Sequence, residues 1–328
     1  MADRHEFNDY HEAQEAYFEK GWTDGLPIVP PTPELVERFL GYVGLTAGHV
    51  LGAVPTREVT VTAEHVAINA VMAGCKAEYM PVVVAAVEAL LDPDANLHST
   101  TATLAGAAHA VIVNGPIRND LDVNCKAGCF GPGWRANATM GRALRLVVRN
   151  VCKSIPGFLD RATFSQSARF TFCFGENEED SPWIPLHVER GLPQGSDAVT
   201  VASARHIISA QSTARTPEAI LDAIIRMART KGVGSAPVLN NTNDLVVVIG
   251  QEHMRYIGDA GWSKKAVREY LYPRMVVEPG PGEVKSSMRD PDEILVVAAG
   301  GQGMTESWTL HPHQGWAITR PIVRPGGR

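Results

Sequence analysis

The chain has 328 residues, 45% of them hydrophobic and 20% charged, which is the composition of a globular protein and excludes general disorder. The formal net charge of -6 comes with no run of Lys or Arg, so no nucleic-acid-binding surface is expected. The polar start lacks a signal-peptide core, and the longest apolar stretch, Pro81 to Leu91, is far short of the roughly 20 residues of a membrane span, so a cytoplasmic protein with no membrane contact is expected.

In chain order, Phe7, Tyr10, Ala13, Tyr17 and Phe18 have helical spacing that Gly21 can end. A proline-stiffened turn, Gly21 to Thr32, follows, and Thr32 caps a helix that runs to Tyr42. Glu64–Ala73 and Pro81–Leu91 read as helices, with Cys75 in the link between them. Leu97–Thr103 and His109–Asn114 read as strands, then a glycine-rich loop from Cys125 to Gly133 leads into a helix from Asn137 to Val151. Arg169–Phe174 and Val199–Ala202 are strand candidates, and Pro217–Thr230 is an amphipathic helix behind Thr216. Leu245–Gly250 and Ile294–Ala299 read as buried strands, with a helix from Ser263 to Tyr272 between them.

Short buried strands alternating with helices predict an α/β fold with substantial parallel pairing. Three segments are expected: a helical and Pro-rich arm over 1–58, a first α/β half over 59–195 that carries the cysteine and Gly-rich loops, and a second α/β half over 196–328. The halves read alike enough to be a diverged repeat, although no fixed-period identity supports one. Glu278-Pro279-Gly280-Pro281-Gly282 reads as an exposed loop.

Five cysteines form no disulfide framework, and their odd number suggests free thiols. Cys75 lies ahead of a helix and beside Lys76, both of which favour thiolate, so it is a candidate nucleophile; a small buried turn residue is the plainer reading. Cys125 and Cys129 have a spacing that suits a metal pair, with zinc or iron the metals such a site would take, or a dithiol, or two incidental thiols. The glycine-rich turn entering a helix offers backbone N–H groups to an anion, with Asn137 and Thr139 at its start and Arg135 and Arg142 as a clamp. Asn114, at a strand end, is placed to orient a substrate. Glu176 and Glu178 are candidate proton-transfer groups, and Gly301 permits close approach of a ligand. His311 and His313 are weaker metal candidates, since no carboxylate accompanies them at helical spacing.

Several blocks together resemble a bacterial family associated with UGSC-type (seleno)proteins. They are Gly21-Trp22-Thr23-Asp24-Gly25-Leu26-Pro27, Ala73-Gly74-Cys75-Lys76, Asn137 to Ala143, Gly175 to Glu178 with Ser181-Pro182-Trp183, and Ala260-Gly261-Trp262-Ser263. The resemblance implies a cytosolic protein working with a thiol- or selenol-bearing partner, and it carries no established reaction.

Together these features predict a cysteine-dependent lyase or hydrolase acting on a small anionic metabolite, with Cys75 as nucleophile and a homo-oligomeric assembly. The alternatives are a metal- or dithiol-dependent oxidoreductase using Cys125 and Cys129, and a non-catalytic subunit that completes a partner's thiol or selenol site.

Overall fold

A computed structural model of the chain describes residues 4–230, 244–275, 288 and 290–326. The loop expected at Glu278–Gly282 lies outside the described residues. The N-terminal arm holds α1 (Tyr10–Glu19), capped by the Asp9 side chain, and α2 (Pro33–Val43), capped by Thr32 with Pro33 in its first turn. A hairpin of β1 (Val50–Val54) and β2 (Val59–Thr62) follows, so the division at 58/59 falls inside a two-stranded antiparallel ladder. The helices α3 (Ala63–Ala73) and α4 (Met80–Leu91) form where they are expected, and Gly74 ends α3 in the left-handed conformation at φ 86°.

Leu97–Thr103 is not a strand: it forms the short helix α5 (Leu97–Thr101). The threonines that suggest β structure turn inward instead, and the hydroxyls of Thr100 and Thr101 donate back to the Leu97 carbonyl. Next come β3 (Ala108–Asn114), α6 (Ile117–Asp120) and α7 (Arg135–Leu146), which runs on as a π-helical turn over Val147–Val151. Of Arg169–Phe174 only the end is extended, as β4 (Cys173–Gly175), because Ser167–Arg169 makes a 3-10 turn and the Thr171 hydroxyl bonds to carbonyls of α7. The second half contains α8 (Leu186–Glu189), β5 (Ala198–Gln211), α9 (Pro217–Thr230), β6 (Leu245–Ile249), α10 (Gln251–Asp259) and α11 (Lys264–Met275). It ends with β7 (Ile294–Ala298), β8 (Glu306–Pro312) and β9 (Ile318–Pro321).

Seven strands make one mixed sheet in the order β4-β3-β5-β8-β6-β7, with β9 paired to β5. Among the described residues only β3/β4 and β6/β7 pair in parallel; the central pairs are antiparallel. The order is palindromic: each half contributes a parallel pair followed by an antiparallel strand (β4-β3-β5 and β7-β6-β8), and the halves join at β5/β8. This is a topological repeat, carried by the strand pairing. The sheet therefore runs across the 195/196 division.

Three apolar clusters explain the curvature. Helices α2, α3, α4 and α7 pack on one flank through Val66, Met80, Val83 and Leu144 with Val111 and Val113 of β3. Helices α9, α10 and α11 pack on the other through Ile220, Ile257 and Leu271 with Val247 and Val296. The opposite sheet face closes on itself: Ile112, Phe174, Ala202, Val248 and Val297, from strands at both ends of the order, share one cluster. The sheet is curled so far that the Asn177 N–H, just after β4, donates to the Ala298 carbonyl of β7 at 2.7 Å. Side chains alternate across a strand, so the residues that continue this inner face past β3 and β4 are Asn114 and Glu176.

Candidate functional site

The strand ends β3 and β4 close over a buried polar cluster. Gly115 begins the turn out of β3 at φ 87°, and a Cβ there would meet the Ser196 carbonyl at 2.3 Å, so only glycine lets this turn press against the start of β5. Asn114 is fully buried. Its amide nitrogen donates to Glu176 Oε2 at 2.7 Å and to Glu178 Oε1 at 2.9 Å. Glu176, also fully buried, accepts the Leu186 N–H on Oε2 at 2.7 Å and the Lys264 ammonium on Oε1 at 3.1 Å. Lys264 is shared with Glu189 Oε2 at 3.1 Å, and Arg268 holds the other oxygen of Glu189 at 2.9 Å.

Glu178 is bound differently. The amide of Asn114, the Gly115 N–H at 2.8 Å and Arg118 Nε at 3.3 Å all converge on Oε1, and the side chain remains 15% exposed. Oε2 is thus uncommitted among the described residues. Arg118 continues to Glu179 at 2.9 Å and donates to the Cys125 sulfur at 3.8 Å. His187 is completely buried beside these groups; among the described residues neither ring nitrogen makes a well-formed hydrogen bond, the Pro193 backbone being close enough only to favour its charged form, and the Asn114 Oδ1 acceptor is unpartnered. Burial holds the imidazole below its ordinary pKa, although the Glu178 and Glu176 carboxylates oppose it, so His187 is neutral at pH 7. Unpartnered buried polar atoms are few in a native protein and costly, about 1–3 kcal/mol each. Their gathering around the ion pairs of this cluster marks a place built for something other than packing.

The loop Asn124–Gly131 has this cluster on one side and an open cleft of about 310 Å³ on the other. The cleft lies at the ends of β6 and β7, lined by Cys129, Phe130, Gly250, Gly301, Glu306 and Trp308 among others. Gly301 packs so closely that a Cβ would meet Ala127 at 2.6 Å, and the Gly300 N–H donates to the Cys125 carbonyl at 2.9 Å. Asn137 pins the loop from α7, accepting the Asn124 N–H at 2.8 Å and donating to the Asn124 carbonyl at 2.9 Å. It is a positioning residue, and Gly301 and Cys129 line the cleft.

The structure places the residues of the expected thiolate and anion clamp away from the strand-end cluster, in contacts with the backbone and with each other. Cys75 is 6% exposed, and burial pushes its thiol up to about 12; the Thr139 hydroxyl, Arg135 and Arg142 oppose this without overcoming it. Lys76 gives no help, because its ammonium lies over the Tyr79 ring at 5.9 Å. Arg135 donates to the Gly74 carbonyl at 3.0 and 2.9 Å, tying α7 to the end of α3. The Thr139 hydroxyl bonds back to the Arg135 carbonyl at 2.8 Å. Arg142 grips Asp24 through two bonds of 2.8 Å and also the carbonyls of Leu26 and Pro27. These five residues form a structural seam between the N-terminal turn, α3 and α7, and are not brought to the strand-end cluster.

The metal readings also change. All five cysteines are free and buried, and among the described residues no three His, Cys, Asp or Glu side chains converge to hold a metal ion. A closed zinc site needs four ligands, so Cys125 and Cys129 do not fit zinc or iron held by this chain's described residues alone. His311 bonds to the Thr309 hydroxyl and His313 to that of Thr103, and burial pushes both down to about 4.

Lys264, His187, Arg118 and Glu189 were not singled out from the sequence. Lys264 did leave a signal, for it is the first residue of α11, where the helix dipole disfavours a cation. Such a choice is stabilising only if carboxylates are waiting, as Glu176 and Glu189 are. No described helix is long and apolar enough to cross a membrane. No protein-family model matches the chain, and no curated protein matches it.

Proposed function

We propose that the protein is an enzyme of acid–base chemistry, of lyase or hydrolase type, acting on a small polar metabolite at the ends of β3 and β4. The observation that carries this reading is the buried pair of Asn114 Oδ1, unpartnered among the described residues, and the His187 imidazole, without a well-formed hydrogen bond there, around the ion-paired Glu176. Glu178 is the proton-transfer group, since its Oε2 is uncommitted and its side chain reaches solvent. His187, held neutral by burial, is the complementary base. Asn114 Oδ1 is free to accept a donor of the substrate, while its amide fixes the two glutamates relative to each other. Glu176 and Lys264 act as positioning residues: three donors saturate the Glu176 carboxylate, and it holds Asn114 in place.

Every cation of the cluster is already engaged. Lys264, Arg118, Arg268 and Lys126 face Glu176, Glu178, Glu179, Glu189 and Asp180. That balance favours a neutral or cationic substrate over the anion expected from the arginines. The test is incubation of the protein with a mixture of polar metabolites, followed by mass spectrometry. Wild type depletes at least one component, and Glu178→Gln slows that depletion by about 100-fold or more.

A second reading, thiol–disulfide exchange at Cys125 and Cys129, is favoured by one observation: Cys129 lines the cleft. Burial, with Cys125 next in effect, pushes this thiol up to about 12, so it attacks only once its proton is removed. The Cys129 sulfur then displaces one thiol from a small disulfide, and Cys125 displaces the second, leaving the pair oxidised and two thiols released with the two protons. With excess oxidised glutathione this reading expects a Cys125–Cys129 disulfide in the peptide map; a map that keeps both thiols free removes it.

A further inference from the structure

We propose that the cleft at the ends of β6 and β7 binds a ligand carrying an alkylammonium group. The cleft lies on the other side of the Asn124–Gly131 loop from the strand-end cluster, so this is a separate site that goes beyond the reading above; it is tested by binding alone, and either can fail while the other stands.

The walls carry the argument. Phe130 and Trp308 meet edge to face at 5.9 Å between ring centroids, and Met304 stands beside them at the mouth, 57% exposed. Among the described residues, the only charged side chain lining the cleft is that of Glu306. It is steadied by the Ser209 hydroxyl, which donates to Oε1. A second carboxylate, Glu252, does not line the cleft but accepts the N–H of Gly303, between the lining residues Gln302 and Met304, at 2.7 Å on one oxygen, and its other oxygen is buried without a partner among the described residues. Glu252 also occupies the first turn of α10, where it answers the positive end of that helix. The helix start that would otherwise invite an anion is therefore already balanced.

Aromatic rings, a thioether and a carboxylate, with no lysine or arginine among the described residues of the walls, are the surroundings a desolvated ammonium group requires. A neutral ligand of the same shape would keep the apolar contacts and lose both the ring–cation attraction and the carboxylate. An anion would meet Glu306 directly.

Choline and its neutral isostere 3,3-dimethylbutan-1-ol are the probes, titrated into the full chain by calorimetry. Choline is expected to bind at least about tenfold more tightly than the neutral isostere. Glu306→Gln, which keeps the side-chain shape and the bond from Ser209, is expected to weaken choline by about tenfold and to leave the isostere unchanged. Trp308→Phe retains a ring and serves as the second variant, expected to weaken choline by a smaller factor. Equal binding of the two probes, tighter binding of acetate than of choline, or no choline binding at tens of millimolar would overturn the proposal.

Discussion

Lys264→Met is expected to lower the free energy of unfolding by about 3–5 kcal/mol. The lysine is 2% exposed, Glu176 is fully buried and Glu189 is 13% exposed, so solvent screening gives little relief. Removing the ammonium leaves Glu176 with two hydrogen-bond donors, Asn114 and the Leu186 N–H, but no counter-charge. A buried ion pair is weak evidence of net stability, yet breaking one side of it is costly because the other charge stays behind. The double variant Lys264→Met with Glu176→Gln is therefore expected to recover part of the loss. Urea denaturation measures both. A cost below about 1 kcal/mol for the single change would show that the cluster is not the dry, ion-paired assembly described.

Arg142→Ala is expected to cost about 1.5–3 kcal/mol at neutral pH, from the loss of charge-assisted bonds to Asp24 and to two carbonyls. Both side chains of the ion pair are 13% exposed. The dependence on pH follows from Asp24. Burial pushes its carboxyl up, but the hydrogen bond and charge of Arg142, with the Leu26 N–H and the Thr23 hydroxyl, hold it below the ordinary value. A depressed carboxylate adds stability that is complete above its unfolded pKa and is lost as pH falls through the folded one. The wild type thus loses the contribution of this clamp below about pH 4, whereas the variant, which lacks it at every pH, loses less on acidification. Urea midpoints at pH 7 and pH 3 check this, and an Arg142→Ala protein as stable as wild type at pH 7 contradicts it.

The helices were legible because their signals are local. Pro217–Thr230 matches its expected span, and Thr32 caps α2 as expected. Strands β6 and β7 were legible as short apolar runs, since both of their faces are covered. The centre of the sheet was not. The outer half of β5, Ser203–Gln211, and the whole of β8 mix polar and apolar residues without a clean period, and it is their pairing with each other that makes them strands. Substantial parallel pairing was therefore expected, where the structure has two parallel pairs around an antiparallel centre.

The candidate site divided in the same way. Asn114, Glu176 and Glu178 were found because they follow strands, and they come together. Cys75 is instead buried, and Arg135 and Arg142 are engaged by the Gly74 carbonyl and by Asp24, contacts that no local pattern announces. The distinctive sequence blocks turn out to be each other's contacts. Arg142 of one grips Asp24 of another, the Trp183 indole donates to the Trp262 carbonyl at 2.8 Å, and a Cβ at Gly258 would meet Pro182 at 2.6 Å. Partners as far apart as Asp24 and Arg142 cannot be paired by reading along the chain.

The central claim, that chemistry belongs to the strand-end carboxylates and not to the thiol of Cys75, is tested most directly by one comparison. Turnover of the metabolite that wild type depletes would be measured for Glu178→Gln and Cys75→Ala, each first shown to be folded by circular dichroism. The account predicts a loss of about 100-fold or more for Glu178→Gln and a rate within about threefold of wild type for Cys75→Ala. Abolished turnover in Cys75→Ala with full activity in Glu178→Gln would contradict it.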